Sequence, residues 1–205
     1  MPRDGAATRE RILDAAQVLV LDRGFAATTV DAVLDETELT KGAFFHHFDA
    51  KADLAYALLE RWSAADAALL EDVMARAERL ATDPLQQLLL FVGLFEEADA
   101  ELASDPGCLY ASFCYERQLM DDASRAIVAE AMLRWRHRLV EKLEEVAAVH
   151  PPRVEVDLCA LADSFGALVE GAYVLARATE DSSIVGAQLR QFRSHVELVF
   201  ASPDA

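Results

Sequence analysis

Two helix starts, at Thr28 and Thr40, stand so close together that each helix has room for barely two turns, and this spacing constrains the fold more than any other feature of the chain. Thr28 and Thr29 occupy the place of a helix N-cap, and Asp31 completes an S/T-x-x-D/E capping pattern from Thr28. Val30, Val33 and Leu34 then share one helical face. The pattern breaks around Thr37-Glu38-Leu39. Thr40 next caps a second helix carrying Lys41, Gly42, Ala43, Phe44, Phe45 and His46. Two short helices across a tight turn make a helix-turn-helix, whose second helix can enter the major groove of DNA.

The flanks extend the pattern. Thr8 begins a helix through Ile12, Leu13, Ala15, Ala16, Leu19 and Val20, and Asp22-Arg23-Gly24 stops it, with Gly24 placed for a left-handed C-terminal cap. Taken with Gly24-Phe25-x-x-Thr28-Thr29-Val30 and with Thr40-Lys41-Gly42-Ala43-Phe44-Phe45-His46-His47-Phe48-x-x-Lys51-x-x-Leu54, this stretch closely resembles the N-terminal domain of TetR-family transcriptional regulators, from about residue 8 to residue 60. The resemblance implies an all-α protein of about nine helices. A three-helix helix-turn-helix domain over residues 1–50 would precede a larger helical domain over residues 51–205 that binds an effector and dimerises. It also implies a homodimeric repressor that binds double-stranded DNA at a pseudo-palindromic operator and is released by a small, mostly apolar molecule.

Composition agrees with a helical, globular chain. At 205 residues, 53% hydrophobic and 27% charged, it can bury two cores and is not of disordered type. Met-Pro-Arg-Asp-Gly lacks the apolar core of a signal peptide, and the longest apolar run, residues 88–95, is too short to span a bilayer. Three cysteines (Cys108, Cys114 and Cys159) match no zinc spacing and suit a reducing cytoplasm, so neither a metal nor a cofactor is expected. Arg outnumbers Lys 16 to 3, a bias of GC-rich coding that points to a bacterial source.

Charge is the main objection to a DNA reader. The formal net charge is −17, and residues 1–61 carry 7 basic against 11 acidic side chains, where a basic footprint is expected. The local distribution runs the other way: between Thr40 and Lys51 stand two Lys, two His and one Asp. An acidic remainder weakens indiscriminate binding, because phosphate neutralisation drives that term.

Each candidate contact has a plain alternative. Thr28 and Thr29 cap the first short helix or reach phosphate, and Thr40 does the same for the second. Lys41 is either a solvated charge or a guanine reader through O6 and N7. Gly42 and Ala43 are small enough to let the helix approach base edges. Phe44 and Phe48 read as core. Phe45 stands where the resembling family usually has a tyrosine and offers apolar contact alone, for instance to a thymine methyl. His46 is the candidate for base readout, and His47 and Lys51 for phosphate contact, with Arg3 and Arg9 adding to it from the N-terminal arm. Two departures from the family pattern stand out. Thr37-Glu38 replaces Ala-Gly in the turn, so a left-handed Glu38 would cost roughly 1–2 kcal/mol. Ala50 replaces a capping residue, a role that falls to Asp49.

Beyond Lys51 the chain reads as helices over residues 51–81, 84–103, 106–120, 123–149, 154–178 and 182–201, separated by Pro, Gly and Asp breakers and without strand alternation, repeats or flexible linker. The helix from Lys51 is expected to run out of the first domain into the next and to carry motion as a rigid body. The last two helices, with Phe165, Gly166, Val169, Leu189, Phe192 and Val196, are the expected dimer interface. Aromatic and soft residues Trp62, Phe91, Phe95, Phe113, Cys114, Met120, Trp135 and Tyr173 are the expected effector-binding set, joined by Glu116 and Glu170, which sit in apolar stretches and can meet a cationic ligand or an Arg such as Arg177. Cys108 and Cys114 could sense oxidants, although buried thiols are usually inert.

Two other classes stay open. An all-α enzyme using Asp121-Asp122 for metal is one, although capping explains those carboxylates better. The other is a helical dimeric scaffold or co-regulator with a degenerate DNA reader, which the acidity, Glu38 and Phe45 allow.

Overall fold

A computed structural model of the chain describes residues 3–102 and 107–200, and every regular element among these residues is helical. In chain order they are α1 (Arg3–Ala27), α2 (Val30–Thr37), α3 (Lys41–Phe45), α4 (Lys51–Leu80), α5 (Pro84–Leu102), α6 (Leu109–Tyr115), α7 (Asp122–Val149), α8 (Leu158–Thr179) and α9 (Ser183–Phe200), with a 3-10 turn at Arg117–Leu119. The expected helix ends at Ala103 and Ala201, the start at Pro106 and the breaker Ser104-Asp105-Pro106 lie outside the described residues. The single helix expected over 106–120 is broken, because Glu116 (φ −116°, ψ 34°) leaves helical geometry. The helix expected from Val154 starts at Leu158, where the Asp157 carboxylate accepts from the N–H groups of Cys159 (2.8 Å) and Ala160 (3.2 Å).

The chain divides into two compact units, Met1–Ala65 with Cys108–Ala131, and Asp66–Gly107 with Met132–Ala205. In the first, Ile12, Leu13, Val33, Phe44, Leu54 and Leu58 are buried together with Leu109 and Phe113 of α6, so the helix-turn-helix shares its core with α6. Gly24 turns the chain inside α1 at φ 82°, ψ 164°, a region essentially reserved for glycine. The cap of α2 is Thr29, whose hydroxyl accepts from the Ala32 N–H at 3.1 Å, one residue later than the sequence pattern indicates. At its other end Glu38 is left-handed (φ 54°, ψ 30°), and the N–H groups of Glu38 and Leu39 both donate to the Leu34 carbonyl. Arg11 of α1 donates to the Thr37 carbonyl at 2.7 Å and closes the same end. For α4 the first-turn bond comes from Asp53, whose carboxylate accepts from the Ala50 N–H at 2.9 Å. The expected Asp49 cap is thus replaced by the back-reaching half of a capping box.

In the second unit Phe91, Phe165, Leu189, Phe192 and Val196 form the centre of a core shared by α5, α8 and α9. Lys142, fully buried, donates to Gln87 (2.8 Å) and pairs with Glu78 (2.9 Å) and Glu145, so its charge is met on several sides. By length and composition α8 is apolar enough to cross a bilayer, which a search for uninterrupted apolar runs misses because Asp163 and Glu170 interrupt it. Its buried stripe, Leu161, Phe165, Val169, Ala172 and Ala176, packs in this core.

Candidate nucleic-acid interface

The helix α3 is short, and its position is fixed from below. Phe44 and Phe48 are buried, with ring centroids 5.6 Å apart, and the Thr40 hydroxyl accepts from the Ala43 N–H at 3.3 Å. This anchoring leaves Thr40, Lys41, Gly42, Phe45 and His46 exposed on one short segment, with Ala43 and His47 half-buried beside them. Space outside Gly42 is open: a methyl group there would find nothing nearer than the Thr40 hydroxyl, at 3.9 Å. Phe45 is 49% exposed and rests edge-on against Phe44 at 5.3 Å. The rings of His46 and His47 lie 5.0 Å apart, edge to face. Thr29 is also exposed, at the start of α2.

The charged groups are arranged differently from the sequence expectation. Lys41 pairs with Asp31 of α2 at 2.9 Å; both side chains are largely exposed, so the pair holds only weakly and a phosphate can replace the carboxylate. Arg9 lies over the Phe48 ring (5.5 Å to the centroid) and pairs with Glu10 at 3.5 Å. The Arg3 side chain lies outside the described residues. Thr28 is 1% exposed, and its hydroxyl donates to the Gly24 carbonyl at 2.8 Å. It therefore serves the α1–α2 corner and cannot reach a phosphate. Lys51 is turned toward the same corner: Nζ donates to the carbonyls of Phe25 (2.5 Å) and Ala26 (3.2 Å) and sits 4.2 Å from the Phe25 ring centroid. Burial pushes its pKa below the ordinary lysine value, while the Glu116 carboxylate acts in the opposite sense. Its ammonium is held by the protein carbonyls of this corner.

The expected effector-binding residues fall into both compact units. In the first, Phe113 and Met120 are buried, Trp62 is half-buried edge-on to Tyr110 (6.5 Å), and Cys114 is exposed, contrary to the expectation of a buried thiol. Glu116 accepts the Ala26 N–H at 2.7 Å, so its partner here is a backbone group of the corner, neither an Arg nor a cationic ligand. In the second, Phe91, Phe95 and Trp135 gather with Phe165 at centroid distances of 5.2–6.4 Å. The Trp135 indole N–H donates to both Asp66 oxygens, at 3.0 and 2.9 Å. Tyr173 donates its hydroxyl to Asp99, and Glu170 is half-buried on the same helix. Burial raises the Asp99 pKa, partly offset by the Tyr173 bond. Asp66 and Asp99 were not picked out from sequence, although a carboxylate inside an apolar helix was the signal used for Glu116 and Glu170.

Of the expected dimer residues, Phe165, Val169, Leu189, Phe192 and Val196 are buried in the core of the single chain, and Phe165 packs edge-on against Phe192 at 5.3 Å. Only Gly166 is exposed. Gly166, Ala167, Gly171 and Val174 of α8 and Leu198 of α9 are among the small and apolar residues that are exposed on these helices.

Comparison with known proteins agrees with this geometry. Residues 12–58 match the family described as bacterial regulatory proteins, tetR family, and residues 84–192 match the tetracyclin repressor-like C-terminal domain. The transcriptional regulator AcuR of Cereibacter sphaeroides is 28% identical over 174 residues, covering 85% of this chain and 78% of that protein. The HTH-type transcriptional repressor NemR of Escherichia coli is 28% identical over 130 residues, 60% of this chain and 64% of its own. Among solved structures, a TetR-family regulator from Agrobacterium tumefaciens superposes with a TM-score of 0.78 at 25% identity over 96% of this chain and all of its own. A regulatory protein TetR from Rhodobacter sphaeroides gives 0.76 at 27% over 91% and 97%. The chain belongs to the TetR family of bacterial regulatory proteins and is a transcriptional regulator.

Proposed function

We propose that the protein is a cytoplasmic, homodimeric repressor that reads a pseudo-palindromic operator with α3 and is released by a small, mostly apolar effector. The observation that carries this reading is the exposed segment Thr40–His46, held from beneath by Phe44 and Phe48 and capped at its start. In it, Lys41 exchanges Asp31 for a guanine or a phosphate, Gly42 and Ala43 allow close approach, Phe45 meets a thymine methyl, and His46 reads a base edge. Thr29, Thr40 and His47 supply phosphate contacts. The second copy is presented through the exposed small and apolar residues of α8 and α9, and a two-fold dimer requires half-sites related by whole turns of the duplex. The aromatic group of the second unit, with Asp66 beside Trp135, supports an effector of mainly apolar character. An effector acts by favouring a dimer geometry whose reader spacing no longer fits the operator.

The enzyme alternative loses its residues: Asp121 accepts the Ser124 N–H at 2.7 Å and caps α7, and Asp122 pairs with Arg125. The degenerate-reader alternative keeps one supporting observation, the pairing of Lys41 with a carboxylate and of Lys51 with carbonyls. A mobility-shift titration on the DNA upstream of its own gene at low salt separates the two. A retarded complex that tolerates scrambled competitor supports the repressor; a stable dimer that retards no fragment supports the scaffold.

A further inference from the structure

The corner between α1 and α2 sets how the two short helices sit on the first, and two charged side chains from distant parts of the sequence converge on it. Glu116 stands where α6 gives way to the 3-10 turn. One of its oxygens accepts the Ala26 N–H at 2.7 Å, across 90 positions of sequence. The other lies where a Cβ on residue 24 would approach to 2.9 Å, so a side chain there would displace the Glu116 carboxylate, in addition to the strain of a φ of 82°. From the opposite side Lys51 donates to the carbonyls of Phe25 and Ala26 and covers the Phe25 ring. That ring packs on Phe113 of α6, centroid to centroid at 4.8 Å. Ala26 thus has its N–H on a carboxylate and its carbonyl on an ammonium. Both are charge-assisted bonds, roughly twice as strong as neutral ones. A corner needed only to connect two helices would leave these groups to water.

We infer that Glu116 and Lys51 are positioning residues, a two-sided clamp that fixes the α1–α2 corner to the end of α6 and thereby sets the angle at which α3 is presented. The inference rests on the regulator reading and deepens it. It also separates Lys51 from the phosphate role that its position at the head of α4 suggests, since a clamp and a phosphate ligand respond differently to salt.

The test uses the full-length protein as wild type, Glu116→Ala, Glu116→Gln and Lys51→Ala, with circular dichroism to establish that each is folded. Two quantities are measured: amide hydrogen exchange at Ala26, and affinity for the upstream DNA fragment across a salt series. For Glu116→Ala the clamp requires exchange at Ala26 about tenfold faster and affinity roughly tenfold weaker, from loss of one charge-assisted bond. Glu116→Gln, which keeps an acceptor, recovers most of both. Lys51→Ala weakens binding with the slope of log K against log salt unchanged. Unaltered Ala26 exchange in Glu116→Ala overturns the inference. So does a Lys51→Ala slope shallower by about 0.9, the signature of one lost phosphate contact. If Glu116→Ala does not fold, Glu116→Gln and Lys51→Ala carry the comparison, and a slope change in the latter decides against it. If the wild type retards no DNA, the regulator reading fails on its own. The exchange data still judge the clamp, faster exchange supporting it and unchanged exchange removing it.

Discussion

Replacing Gly24 with alanine removes the one residue that lets the α1–α2 corner close. At φ 82°, ψ 164° an L-residue is strained by about 1–3 kcal/mol. The added methyl would come within 2.9 Å of the Glu116 oxygen that does not bond Ala26, so the carboxylate must shift and the bond from its other oxygen to the Ala26 N–H is weakened or lost. A hydrogen bond to a charged group is worth about 1.5–3 kcal/mol. The corner cannot relax cheaply, because Phe25 is buried against Phe113 and Thr28 is buried with its hydroxyl on the Gly24 carbonyl. The expected destabilisation is therefore about 1 kcal/mol if the carboxylate shifts and keeps its bond, rising to about 6 kcal/mol if the bond is lost, against the ~5–15 kcal/mol typical of a domain. Urea unfolding followed by Trp62 fluorescence, with Trp135 replaced by Phe, reports on the first compact unit. The midpoint should fall with the slope unchanged. In a Glu116→Ala background part of the cost disappears, since the clash and the bond are already gone, and the two changes should be non-additive by about 0.5–3 kcal/mol. A loss below about 1 kcal/mol, or strict additivity, refutes the reasoning.

Other substitutions probe separate parts of the account. Glu38→Gly relieves a left-handed non-glycine residue and should stabilise the protein by about 1 kcal/mol in the same unfolding assay, provided the cap bonds to Leu34 are kept. Asp99 has its pKa raised by burial above the ordinary 3.8, so the native state binds this proton more tightly than the unfolded chain, and its contribution to stability falls as pH rises from 3.8 through the native value. Asp99→Asn, which still accepts from Tyr173, should therefore match wild type below pH 3.8 and gain relative to it above, read as melting temperature against pH. On DNA, Lys41→Ala should weaken binding, while His46→Ala should change the ranking of operator variants in a selection experiment. Equal losses on cognate and scrambled DNA for His46→Ala would remove it from base readout.

The helices and their order were legible because capping residues, breakers and apolar spacing are local signals: Thr40 and Pro84 act where they stand in the sequence, while Gly24 breaks the helix there as an extended kink (φ 82°, ψ 164°) and not as the expected left-handed cap. Which of two adjacent threonines caps α2 was not, since the S/T-x-x-D/E pattern runs from Thr28 to Asp31, whereas Thr28 is buried with its hydroxyl on the Gly24 carbonyl and the cap falls to Thr29. Lys51 shows the same limit more sharply. Its place at the head of α4 implies an anion, yet its side chain folds back on carbonyls brought within reach by the α1–α2 corner. Glu116 reads from sequence as a carboxylate within an apolar helical stretch, yet it stands at the end of α6 outside helical geometry, and its partner was missed because that partner is a backbone N–H 90 positions away. For α8 and α9, large apolar side chains chosen from sequence proved to fill their own core, leaving small residues and Val174 and Leu198 outside. Periodicity identifies an apolar face without stating whether the same subunit already covers it.

Footprinting of the purified protein on the DNA upstream of its own gene tests most directly whether α3 reads a duplex from a two-fold dimer. The account predicts two protected half-sites whose centres are separated by about one helical turn (roughly 34–36 Å) or a multiple of it. It also predicts that both are weakened together by Lys41→Ala. A fully folded protein that protects nothing at low salt, or a single unpaired protection indifferent to α3, would contradict it.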